Sequence, residues 1–135
     1  IIKNSKDEDE IWPLIYCHGD MHFGNILLDK NNQFYFIDWE DARIEIFFTD
    51  LLKFIIIEAV WHNDYTFFHN YVSGEYNLKL YKIFEVMGLE FNEKELVRYL
   101  AISISEQLTY ISEVEKTDKL KFVYNEFNRL VNKLL

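Results

Sequence analysis

The stretch His18-Gly19-Asp20-Met21-His22-Phe23-Gly24-Asn25, with Ile37-Asp38-Trp39-Glu40 downstream of it, decides how this 135-residue chain reads. Asp20 and Asn25 stand five residues apart in a segment holding two of the chain's four glycines. Such glycines let a loop take backbone angles close to a ligand that other residues avoid. Next come two short apolar runs, Ile26-Leu27-Leu28 and Phe34-Tyr35-Phe36-Ile37, separated by Asp29-Lys30-Asn31-Asn32-Gln33. Asn and Asp supply turn chemistry, so the runs predict a β-hairpin. The pattern is a polar loop, a hairpin, and an acidic residue, Asp38, where the hairpin ends.

Outward from this core, Ile11 to Tyr16 predicts a brief strand entering the loop, with the single cysteine, Cys17, just beyond it. Between Tyr16 and His18, Cys17 is expected to be a buried strand residue rather than a nucleophile. Residues 1–10 are polar and acidic and are expected to fray, which leaves Lys3 and Lys6 in a tail and not on a strand. After residue 48 the signals turn helical. Thr49-Asp50 predicts the start of a helix reaching about Trp61, apolar nearly all round and therefore the buried centre of the domain. Asp64 and Asn77 are expected to cap two further helices, ended by Gly74 and Gly88. Asn92 with Glu95 resembles a capping box for a helix carrying Leu96, Leu100, Ile104, Leu108 and Ile111. Thr117 starts a last helix with Leu120, Val123, Tyr124, Phe127, Leu130, Val131 and Leu134 as its stripe. The plan is α+β and mostly α: one domain over 1–135, a short hairpin and about five helices.

Composition excludes several classes. Half the residues are apolar and 18% aromatic, which excludes a disordered chain. Acidic residues outnumber basic ones 23 to 14, and the three arginines, Arg43, Arg98 and Arg129, are scattered, so no nucleic-acid partner is expected. A single Cys cannot form an internal disulfide and suits a reducing compartment. The most apolar stretch, 51–61, contains Lys53 and Glu58 and is too short to span a membrane. The acidic N-terminus is no signal peptide. A cytoplasmic protein without a membrane partner is expected.

The spacing from Asp20 to Asn25 equals that of the catalytic Asp and the metal-binding Asn in the kinase catalytic-loop pattern, and Asp38 stands where the next metal-binding Asp would follow. HGDMHFGNIL followed by FIDWED resembles the aminoglycoside phosphotransferase and choline kinase family of small-molecule kinases. The resemblance covers about residues 12–52 and implies a protein-kinase-like C-terminal lobe. It implies that Asp20 is the catalytic residue facing the acceptor hydroxyl, that His18 braces the loop, and that Asn25 and Asp38 hold Mg²⁺ and, through it, ATP or GTP. It also implies that Asp50, before Leu51, is a structural aspartate. The acceptor would be a hydroxyl-bearing small molecule, and the acidic balance suits a cationic one.

Other residues have plainer readings. Trp39 is expected to pack on the loop, His22 to lie at its surface, and Glu40 and Asp41 to be solvated rather than to contact substrate. His62 and His69 are expected to be packing or surface residues, and Trp61 and Tyr65 to pack in the core rather than wall a cation site.

The family has an N-terminal lobe with a Gly-bearing loop over the phosphates, and here no Gly precedes Gly19. The chain begins at Ile1 and carries no such lobe, so it is expected to be the catalytic lobe of a longer kinase, inactive alone. Its partner would then be the missing lobe in cis, or a second copy meeting the exposed lobe interface. The alternative is a truncated remnant acting as a Mg²⁺-binding or protein-interaction module. The family also often has a Gly between the metal and structural aspartates. Residues 42–49 have none, so the path of that segment is left open.

Overall fold

The computed structural model describes residues 2–4, 11–113, 122, 125 and 127–129. The chain is α+β, and its contacts divide it into two compact units, Ile1–Ile57 and Glu58–Leu135.

The first unit holds two antiparallel sheets. Strands β1 (Ile2–Asn4), β2 (Ile11–Cys17) and β5 (Arg43–Ile46) form one, in the order β1-β2-β5. Strands β3 (Ile26–Leu28) and β4 (Phe34–Phe36) form the hairpin, registered Ile26 to Phe36 and Leu28 to Phe34. Its turn is built by Asp29, whose Oδ1 accepts the amides of Asn31 (2.8 Å) and Gln33 (2.9 Å). These bonds, that of Gln33 above all, hold the Asp29 carboxyl below its usual range. Asn32 takes the left-handed conformation at φ 60°, which Asn tolerates better than most residues.

Two strands depart from the expectations above. Residues 2–4 pair with β2 instead of fraying, which puts Lys3 on a strand opposite Trp12. The open segment after residue 42 is β5. Its Arg43-Ile44-Glu45-Ile46 alternates polar and apolar, a strand signal too short to stand on its own. The central strand contains Pro13, which has no N–H to give a ladder. The registers resolve this: β1 covers Ile11 to Pro13 and the β5 ladder covers Leu14 to Cys17, so Pro13 lies just outside the β5 ladder and contributes there only its carbonyl, which accepts the Phe47 amide at 3.2 Å.

Helix α1 (Thr49–Trp61) begins in this unit. Leu52, Ile55, Ile56, Ile57 and Ala59 are buried along it, as its apolar composition predicts, but so are Lys53 and Glu58. Trp12 packs edge-on to Phe48 at 5.3 Å and near Phe47 at 6.4 Å.

The second unit contains α2 (Thr66–Val72), α3 (Asn77–Val86) and α4 (Leu96–Glu113), the last preceded by a 3-10 turn over Glu93–Glu95. Asp64 Oδ1 accepts the Thr66 amide at 3.0 Å, at the start of α2. Asn92 accepts the Lys94 amide at 3.1 Å and donates to Glu95 at 3.0 Å, so the 92–95 signal opens the 3-10 turn that leads into α4. Asn77 is not a cap: it lies inside α3 and its side chain donates to Glu93. Phe84 meets Phe91 edge to face and Tyr99 at a tilt (ring centroids 5.1 Å each), and Leu80, Leu96, Leu100 and Ile104 are buried in the same unit. Tyr71 is buried and donates to the Leu96 carbonyl at 2.9 Å, and burial drives its phenol well above the usual range. Trp61 and Tyr65, expected in the core, are exposed at 45% and 38%. The expected helix from Thr117 lies largely outside the described residues. Among the described residues no helix is long and apolar enough to cross a membrane.

Candidate active site

The loop that follows β2 is held by successive backbone contacts, and helix α1 supplies the first of them. Asp50, in its first turn, directs both carboxylate oxygens at the loop: Oδ2 accepts the His18 amide at 2.6 Å and Oδ1 the Gly19 amide at 3.0 Å. A carboxylate accepting two amide protons makes charge-assisted bonds, stronger than neutral ones. From the same helix Phe54 meets Phe23 edge to face at 4.9 Å, which anchors the 3-10 turn Phe23–Asn25.

Gly19 has φ +81°. A Cβ placed there would lie 2.0 Å from the Asp41 carbonyl oxygen. Only glycine fits that position. The other loop glycine, Gly24, has no positive φ, contrary to the expectation of special angles at both. A Cβ there would press on the His22 ring, 2.7 Å from Cε1.

His18 is fully buried and spans the loop and the hairpin. Nε2 lies 2.7 Å from the Ile37 carbonyl oxygen, and Nδ1 lies 3.3 Å from the Asp20 amide nitrogen. A carbonyl oxygen only accepts and an amide N–H only donates. The ring is therefore the neutral tautomer with its proton on Nε2. The Trp39 ring packs on it at 4.7 Å, as expected for that residue.

Asp20 and Asn25 meet at the tip. Asn25 turns its amide nitrogen to Asp20, donating to the main-chain oxygen at 2.8 Å and to Oδ2 at 3.4 Å. His22 Nε2 lies 3.5 Å from the same Oδ2, while its Nδ1 accepts the Gly24 amide. The hairpin then returns to this point, since the Ile37 amide donates to the Asn25 carbonyl at 3.0 Å. Asp38, next in sequence, is exposed and has φ 64°. A non-glycine residue held in that region is a feature that clusters at functional sites.

Sequence reasoning missed Lys53, which reads only as an interruption of an apolar helix. It is 7% exposed, and its ammonium donates to the Gly19 carbonyl. Burial, reinforced by Arg43, pulls its pKa below the ordinary lysine value, while Asp20, Glu45 and Asp50 oppose that shift. The signal was present in the spacing: Asp50 and Lys53 are three apart and share a helix face. Arg43 also reaches Gly19 O at 3.3 Å, while binding Glu45 at 2.8 Å. Burial, with Asp50 and Glu45 beside it, pushes the Cys17 thiol up to about 12, so it stays protonated and is no nucleophile. Cys17, Glu45 and Asp50 bring ligand atoms within 4.8 Å of one another. Both Asp50 oxygens already accept amides there and Arg43 holds Glu45, so this trio is a structural cluster.

Residues 6–71, just under half of the chain, match the family model described as the phosphotransferase enzyme family. The matched segment is similar to that family. No curated protein and no solved structure matches the chain. The loop, the hairpin and the first part of α1 all lie inside the phosphotransferase segment.

The donor set of this phosphotransferase segment fits a hard divalent cation. Asn25 spends both amide protons on Asp20, and its Oδ1 takes no hydrogen bond among the described residues. The exposed Asp38 carboxylate takes none either. An amide oxygen and a carboxylate are the oxygen donors that Mg²⁺ accepts, with phosphate oxygens and waters completing its shell.

Proposed function

We propose that this chain carries the catalytic lobe of a kinase that moves the γ-phosphate of ATP or GTP to a hydroxyl of a small molecule. The observation that carries the reading is the Asp20–Asn25 contact, with the Ile37 amide, one residue before Asp38, bonded to the Asn25 carbonyl where the hairpin ends, inside a segment that matches the phosphotransferase family. Phosphoryl transfer needs positioning and charge neutralisation more than covalent help. Asp20 orients the acceptor hydroxyl and takes its proton. Asn25 Oδ1 and Asp38 would hold Mg²⁺, which neutralises charge on the phosphate oxygens when bound. His18 acts from behind, tying the Asp20 amide to the hairpin end. The acidic balance of the chain favours a cationic acceptor such as an amino sugar or a choline-like amine.

Leu27, Leu28, Phe34, Tyr35 and Phe36 are all exposed on the hairpin next to the site. Exposed apolar surface of this kind marks a contact face, here for a phosphate-covering lobe in cis or for a second copy of the chain. The 135 residues alone are expected to show negligible turnover, because no Gly precedes Gly19 to cover the phosphates. A coupled assay with ATP and GTP against a panel of amino sugars and choline checks this. Turnover abolished by Asp20→Ala would show instead that this chain is a complete catalyst.

The metal reading is tested by titrating Mn²⁺, a stand-in for Mg²⁺, and following paramagnetic broadening by NMR. The Asn25 side-chain amide and the Asp38 signals are expected to broaden first, and Asp38→Ala is expected to weaken Mn²⁺ binding by about tenfold or more, as loss of a direct carboxylate ligand should. Broadening centred on Glu45 and Asp50 would refute the assignment.

A further inference from the structure

We propose that Lys53 is a positioning residue of the catalytic loop: clamped on the Gly19 carbonyl, it sets the plane of the Gly19–Asp20 peptide and so aims the Asp20 side chain. The inference rests on the phosphotransfer reading for what Asp20 does, but its geometry stands by itself.

Three successive peptides of the loop are held. Asp50 takes the His18 and Gly19 amides. The third peptide, Gly19–Asp20, is gripped at both ends: Lys53 and Arg43 donate to its oxygen, and His18 Nδ1 accepts from its N–H. A peptide held at both ends cannot rotate, and the next side chain along is that of Asp20. Arg43 is the weaker clamp. It reaches Gly19 O at 3.3 Å, shares the same nitrogen with Asp41 O at 3.1 Å, and gives its other donors to Glu45. A buried ammonium is costly unless it is paired and hydrogen-bonded. At 7% exposure, the one hydrogen-bond partner of Lys53 among the described residues is this carbonyl. The charged groups facing it are Arg43, Asp20, Glu45 and Asp50. A lysine whose one hydrogen-bond anchor among the described residues is the residue before Asp20 constrains the loop more than it serves the core.

The test uses the 135-residue chain and two variants, Lys53→Met and Lys53→Arg, with native-state hydrogen exchange as the readout. Lys53→Met is expected to keep its helical circular dichroism and to exchange the Gly19 and Asp20 amides about tenfold faster or more, as loss of one charge-assisted bond predicts, while the β3–β4 amides hold their rates. Lys53→Arg is expected to restore most of that protection. An even rise across all amides would show a purely structural role and overturn the proposal. Should Lys53→Met fail to fold, the wild type decides the matter by NMR titration. The Gly19 carbonyl ¹³C shift is expected to follow the Lys53 Cε signal through one midpoint below the ordinary lysine range, well separated from Cys17 at about 12. A flat Gly19 signal would refute the clamp. Mn²⁺ broadening at the Asn25 side chain is measured alongside. If wild type shows none, the phosphotransfer reading fails, while exchange and titration still decide the role of Lys53.

Discussion

Asp50→Ala is expected to remove about 3–5 kcal/mol of stability, the cost of breaking a buried network and leaving its cations uncompensated. The variant strands the His18 and Gly19 amides, which give their protons to the Asp50 carboxylate at 2.6 and 3.0 Å. It also leaves Lys53, almost wholly buried, with one anion fewer. Native domains hold only about 5–15 kcal/mol, so the variant should unfold at a much lower urea concentration or fail to fold at 37 °C. Asp50→Asn keeps one acceptor oxygen but loses the charge, so its stability should fall between the two. Urea unfolding followed by circular dichroism measures all three proteins. A loss below about 1 kcal/mol in Asp50→Ala, the level of a single ordinary hydrogen bond, would mean that the carboxylate does not organise the loop.

Gly19→Ala is expected to cost about 2–5 kcal/mol, combining about 1–2 for a left-handed residue with a side chain and about 1–3 for overpacking. The added methyl would stand 2.0 Å from the Asp41 carbonyl oxygen and 2.8 Å from the Arg43 guanidinium. The guanidinium can swing aside, but the carbonyl belongs to the main chain leading into β5 and moves only with that strand. Gly88→Ala is the control, with a similar φ of +72° and nothing within 4 Å of the new methyl. It should show the conformational cost alone, about 1–2 kcal/mol. Equal losses in the two variants, from matched thermal or urea melts, would show that the clash at Gly19 is relieved by relaxation.

The hairpin was legible because its signals are local. Asp29 can satisfy the turn amides from within five residues, and the apolar runs on either side have no other way to pair. Helices α1 to α4 were legible from periodicity and polar starts, although Asn77 shows how a cap assignment slips by a residue. Strands β1 and β5 were not legible as strands. Each is three or four residues long and exists because β2 offers it an edge. Trp61 and Tyr65 were misjudged because aromatic character favours burial without dictating which helix face turns outward.

By itself the sequence determined the spacing of Asp20, Asn25, Asp38 and Asp50, the hairpin that separates the first pair from the third, and the buried character of α1. Local chemistry suffices for these, because turns and helical stripes are satisfied within a few residues. Tertiary structure alone decided what Lys53 and Asp50 touch, which tautomer His18 adopts, and why Gly19 admits no side chain. Each of these is set by a partner 19 to 34 residues away in the chain. Whether a buried charge is tolerated depends on what the fold brings to meet it, and no pattern along the chain carries that information.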